Sequence, residues 1–280
     1  MAIASLFFLV WGGLWLPIAL PLALWLQWRP FTISEPRQKL PLLLSLYGAV
    51  PLACWVVSAL VVSPYNLRFD QSTIASCELG LLIGLVGLAT LVGLQMQLGW
   101  LKIDRSNDTI QKGSESGPAI KTLKDIATIV LRCIAAGLLA IGIGFVEELV
   151  FRDILFFQLA STLSLNAAAA LSSALFALLH LVWDWQNTKF QLLGLWVMGT
   201  VLAWAYSLDG FSLGLPWGLH AGWIFGILCI ESWGSLTTTG RISAWVTGPT
   251  GQPLAGLSAL VFLAGTAVVL WFTAAAVSVG

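Results

Sequence analysis

Apolar residues run along this chain in long unbroken stretches separated by short polar connections, over about 4–27, 42–63, 79–99, 137–158, 167–184, 190–208, 211–231 and 255–277. Each stretch can cross about 30 Å of hydrocarbon as an α-helix, which takes roughly 20 residues. The runs are continuous instead of alternating, which excludes an outer-membrane barrel. The pattern predicts an all-α fold, a polytopic membrane helix bundle of about eight transmembrane helices forming a single integral membrane domain over 1–280. Residues 1–125 supply three spans and a cytoplasmic loop, 126–232 a core of four spans, and 233–280 a loop and the last span.

Composition agrees with this reading. Apolar residues make up 58% of the chain and charged residues 9%, and the mean hydropathy is +0.90, so no soluble domain fits. Thirteen Lys and Arg balance thirteen Asp and Glu. Without a basic excess, a nucleic-acid partner is not expected. Cys54, Cys77, Cys133 and Cys229 are scattered, with no CxxC pair to suggest a disulfide framework or an iron–sulfur site. The first charge comes only at Arg29, so the opening stretch lacks the basic n-region of a secretory signal and is expected to stay as the first span.

Basic residues orient the spans. Arg29, Arg37 and Lys39 lie in the first connection and Lys102, Arg105, Lys112, Lys121 and Lys124 in the third, against Arg68 alone in the second. The first and third connections are therefore expected on the cytoplasmic side and both termini outside. The third contains SNDTIQKGSESGPAIK, a flexible-linker composition, and 121–137 is expected to run along the interface before turning inward. Trp28, Trp100 and Trp183 fall near interfaces, whereas Trp196, Trp204 and Trp223 fall mid-span and are expected to pack. Pro17, Pro21 and Pro51 would kink their helices or mark lateral openings, or be ordinary membrane-helix prolines. Residues 232–253 read as a loop with a short interfacial helix.

The chemistry is concentrated. His180 and His220 are the two histidines of the chain, and both fall in apolar spans together with the charge-dense EELVFRD at 147–153. Ionisable groups in hydrocarbon cost several kcal/mol unless paired or hydrated, so such a cluster marks a functional site. Glu148 and Arg152 are i and i+4 on one helix face and can neutralise each other. Glu147 is turned about 100° away and is left to do chemistry. Phe176 stands four residues before His180 on the same face. Gly218, Gly222 and Gly226 around His220 have the spacing that lets helices approach closely. Placing the fourth span at 137–158 instead of 126–146 brings Glu147 to mid-span, level with His220, with His180 toward the cytoplasmic end. Asp184 and Asp209, near span ends, are expected to face headgroups, and Glu231, ending the seventh span close to Trp233, is likewise not expected to act directly.

One carboxylate and two imidazoles suit a hydrolase in which Glu147 takes a proton from water while the imidazoles hold the water, a metal or the developing oxyanion. The same Glu147, His180 and His220 could instead ligate zinc with an open position, although no HExxH occurs.

These residues resemble a known family. Glu147-Glu148-Leu-Val-Phe-Arg152 is similar to the EExxxR motif of the CAAX prenyl protease 2 family, also called the CPBP or Abi family of intramembrane proteases. Phe176-Ala-Leu-Leu-His180 matches its FxxxH motif, and His220 with its neighbouring glycines resembles the third, HxxxN/D. The resemblance covers roughly 130–232 and makes 126–232 the CAAX-protease-like catalytic core. It implies a glutamate-dependent intramembrane endopeptidase. Glu147 would activate water, His180 and His220 would complete the catalytic group, and Glu148, Arg152 and Phe176 would support it, with or without zinc.

The expected substrate is a membrane protein or a lipidated or otherwise hydrophobic peptide. The expected setting is the lipid bilayer of a bacterial inner membrane, a thylakoid or another organelle, with oligomeric state unassigned. The third motif departs from the family: Ile224 stands where Asn or Asp would help hold an oxyanion. Trp223, Asn166 or Trp217 could donate instead, the enzyme could be slower, or its chemistry could differ. Two other classes stay open, an ion-coupled transporter and a non-catalytic membrane partner of the same fold.

Overall fold

The computed structural model describes residues 2–32, 35–61, 69–104, 123–248 and 253–279. Long helices dominate: α1 (Ala2–Trp25), α2 (Pro36–Leu60), α3 (Gln71–Gln97), α4 (Leu123–Glu148), α5 (Leu165–His180), α6 (Leu192–Leu208), α7 (Gly214–Trp233) and α8 (Leu257–Val279). Ile3–Trp25, Arg37–Leu60, Gln71–Gln97 and Ile126–Ala160 are long and apolar enough to cross a membrane, and Leu165–His180, Leu192–Leu208 and Leu257–Thr273 are apolar but shorter. The protein is an all-α membrane helix bundle. Its perimeter is apolar, with Leu9, Leu24, Trp55 and Leu138 each more than two-thirds exposed, as a bilayer-solvated surface requires.

Contacts between connections fall into two sets. At one end the Phe31 amide donates to the Val182 carbonyl (2.9 Å) and the Trp28 and Trp183 rings pack 5.4 Å apart. Strand β1 (Leu101–Asp104) pairs antiparallel with β2 (Ser235–Thr238) at this end too. At the other end Ser76 Oγ donates to Asp209 Oδ1 (2.7 Å), and the Leu215 amide donates to Asp209 Oδ2 (3.0 Å). Burial pushes the Asp209 carboxyl up, opposed by hydrogen bonds from Ser76, Leu215 and Ser212. Asp209 thus ties the start of α3 to the α6–α7 turn, and Asp184 caps the short helix Trp185–Thr188. Both carboxylates do structural work instead of merely facing headgroups. The segregation fits helices that run alternately up and down, with Arg29, Arg37, Lys39 and Lys102 at the same end.

Three expectations change. The fourth span is neither 126–146 nor 137–158 but one rod: α4 continues without a break through π-helical turns at Leu149–Phe156 and a last α turn at Phe157–Ala160. Residues 123–137 are therefore part of that rod and not a separate interfacial segment, because the apolar pattern passes through them without a helix breaker. Residues 235–238 form a strand: the β-branched Thr237 and Thr238 lie in a ladder with Leu101–Asp104, and the helical turn Ala244–Thr247 follows in that connection. α1 runs through Pro17 and Pro21, and α2 through Pro51, with helical assignment intact. The linker composition at 106–121, with Arg68, Arg105, Lys112 and Lys121, lies outside the described residues.

The tightest seam joins α3 to α7. A Cβ on Gly218 would collide with the Cys77 carbonyl, one on Gly222 would meet Leu81 O at 2.8 Å, and one on Gly84 would meet Leu219 O at 2.7 Å. Glycine here allows backbone-to-backbone packing. On the other side of α7, a Cβ on Gly144 of α4 would sit 3.2 Å from the Ala221 nitrogen. α7 is therefore wedged between α3 and α4, and its depth and rotation are fixed.

Candidate active site

The acidic cluster sits where α4 passes into its π-helical turns, a helix variant that recurs at functional sites. Glu148 and Arg152 are fully buried and form the expected i,i+4 pair, Arg152 Nε lying 3.0 Å from Glu148 Oε2. The Nε–H is not aimed along that line, and none of the guanidinium nitrogens has a hydrogen-bond partner among the described residues. Charge and proximity hold the pair, reinforced by the Phe176 ring 5.3 Å from the guanidinium carbon.

His220, carried by α7, is buried and uses both ring nitrogens. Its Nδ1 is 2.8 Å from Glu148 Oε1 and its Nε2 is 3.6 Å from Glu147 Oε2. A Glu148 carboxylate paired with Arg152 only accepts, so the bond requires a proton on Nδ1. A ring carrying only that proton would face Glu147 with its Nε2 lone pair. The other Glu147 oxygen, Oε1, accepts from the hydroxyl of Tyr47 on α2.

His180, half-buried, ends α5. Its Nδ1 is 2.8 Å from the Phe176 carbonyl, which again puts the proton on Nδ1. Phe176 is the hub: fully buried, it packs 4.5 Å from the His180 ring, 6.2 Å from the His220 ring and 5.1 Å from the Phe151 ring. The Phe151–Phe176 contact also sets the level of His180. The α4 rod and α5 are antiparallel, so four residues back from Phe151 and four on from Phe176 lie Glu147 and His180, at the same depth. The mismatch expected from span positions vanishes because α5 is short, 16 residues or about 24 Å.

Glu147, Glu148, Arg152 and His220 are thus in direct contact distance, and His180 joins them through Phe176. Among the described residues no three His, Cys, Asp or Glu side chains are arranged to hold a metal ion, so the zinc set of Glu147, His180 and His220 is not assembled. Of the donors considered in place of the residue at Ile224, Trp217 Nε1 donates to the Ile141 carbonyl (2.9 Å). Asn166 is exposed at the opposite end of α5 from His180, about 21 Å away by helix rise. Trp223 Nε1 is buried with no hydrogen-bond partner among the described residues. An apolar groove of about 840 Å³ between α3 and α8 is lined by none of the site residues.

The sequence reading missed two tyrosines. Tyr47 bonds Glu147, and the Tyr206 hydroxyl donates to Asp153 Oδ1 at 2.9 Å. A signal existed: the chain has three tyrosines, two of them in apolar spans, and a phenol buried there needs an acceptor that few spans supply.

Residues 129–226 match the family model described as Rce1-like, type II CAAX prenyl endopeptidase Rce1-like. That segment holds Glu147, Glu148, Arg152, Phe176, His180 and His220, and the match supports the resemblance of this part of the chain to the CPBP or CAAX prenyl protease family. No curated protein and no solved structure matches the chain.

Proposed function

We propose that this protein is an intramembrane endopeptidase that hydrolyses peptide bonds of membrane-associated or hydrophobic peptides, lipidated ones included, with Glu147 as the base. The observation that carries this reading is the facing of Glu147 Oε2 and His220 Nε2 at 3.6 Å, beyond hydrogen-bond distance. A water lying beside this pair, within reach of both atoms, would donate one hydrogen to each. Glu147 takes the proton as the water oxygen attacks the scissile carbonyl carbon, and returns it to the leaving nitrogen as the C–N bond breaks. Glu148 holds His220 in the tautomer that keeps Nε2 available, and Arg152 neutralises Glu148. His180, level with Glu147, completes the group with its own Nε2.

The test is Glu147→Gln in the full chain, reconstituted in lipid with a transmembrane peptide substrate. Gln keeps the size and accepts from Tyr47 but is no base. Turnover should fall about 10²–10⁴-fold with thermal stability retained. Cleavage at the wild-type rate would overturn the assignment.

A further inference from the structure

We infer that Tyr47, which lies outside the 129–226 segment, is a positioning residue for the Glu147 base. This inference rests on the proposed function above. A glutamate carboxylate rotates easily about its last torsion, which is broad and two-fold, and its two oxygens are chemically equal until something distinguishes them. The Tyr47 hydroxyl distinguishes them. It donates to Oε1, occupying that oxygen and leaving Oε2 as the one directed at His220 Nε2. The base therefore presents a single oxygen in a fixed plane, as preorganised proton transfer needs.

The phenol is itself braced. Trp11 Nε1 donates to the Leu46 carbonyl (3.0 Å) and Trp15 Nε1 donates to Ser45 Oγ (3.1 Å), so two indoles of α1 grip the two residues before Tyr47. Phe7 of α1 is fully buried in the same apolar core as Val150, Ile154 and Phe156. A chain of side chains thus runs from α1 through α2 to the carboxylate.

The experiment compares Tyr47→Phe, Glu147→Gln and wild type in lipid, with kcat and KM measured separately and melting followed in detergent. Loss of one hydrogen bond to a charged group should lower kcat about 10- to 100-fold, with KM within about twofold and melting nearly unchanged. 3-Fluorotyrosine and 3,5-difluorotyrosine at position 47 keep the shape and the O–H, and kcat should change in step with phenol acidity. A Tyr47→Phe enzyme with wild-type kcat, beside an inactive Glu147→Gln, overturns the inference and leaves the proposed function standing. Normal cleavage by Glu147→Gln overturns both. Should Tyr47→Phe not fold, the fluorotyrosine series decides: a flat kcat across it overturns the inference.

Discussion

His220 addresses the two adjacent glutamates with opposite edges of its ring, Nδ1 2.8 Å from Glu148 Oε1 and Nε2 3.6 Å from Glu147 Oε2. The short contact is structural, and the long one joins the two atoms to which the proposed function assigns the water. Neighbouring residues of one type are thereby given different work by the 100° turn between them.

Glu148→Ala tests the structural half. It strands the fully buried Arg152 without its counter-charge, and breaking a buried ion pair from one side costs about 3–5 kcal/mol. The expected result is a lowered denaturation midpoint in detergent. The double replacement Glu148→Leu with Arg152→Met removes both charges and should recover much of that stability while staying inactive, since His220 loses its tautomer-setting partner.

Phe176 should matter to rate more than to stability when its volume is largely kept. Phe176→Leu is expected to cost about 1 kcal/mol, because the site still fills with apolar atoms. The ring faces that locate His180, His220 and Arg152 disappear, so kcat should drop about tenfold or more. A loss of activity no greater than the loss of folded fraction would show that the ring only fills space.

The α3–α7 seam is tested by Gly218→Ala. Its new methyl would run into the Cys77 carbonyl, a backbone atom that cannot rotate aside, and overpacking of this kind costs about 2–3 kcal/mol. His220, two residues further along α7, should be displaced, so kcat falls with stability. Gly13→Ala is the control: nothing lies within 4 Å of its added carbon, and both readouts should stay at wild-type values or rise slightly.

Ile224→Asn addresses the departure from the third motif. Ile224 is half-buried one helical turn beyond His220, and an amide there could donate where isoleucine cannot. Turnover should stay equal or rise. A large loss in a folded variant would count against an oxyanion role for this position.

The helices, the membrane setting and the Glu148–Arg152 pair were legible because they follow from local periodicity: a run of twenty apolar residues, or two charges four apart, states its own geometry. The His220–Glu148 bond was not, since nothing in the residue order says which ring nitrogen meets which carboxylate. The length of the fourth rod was hidden for a related reason, as apolar content marks where a helix is lipid-compatible and not where it stops. Tyr47 escaped because its partner is a hundred residues away and its own neighbourhood, LSLYGAV, reads as ordinary span.

The backbone seam between α3 and α7 has a bearing on how small the working unit can be. Gly80 and Gly84 lie upstream of the matched 129–226 segment, yet they form the wall against which His220's helix is set. A polypeptide trimmed to the family boundaries would carry both histidines and both glutamates but expose a glycine-lined trough to lipid. Such a truncate should lose register along α7 and with it hydrolysis, even with each motif residue present.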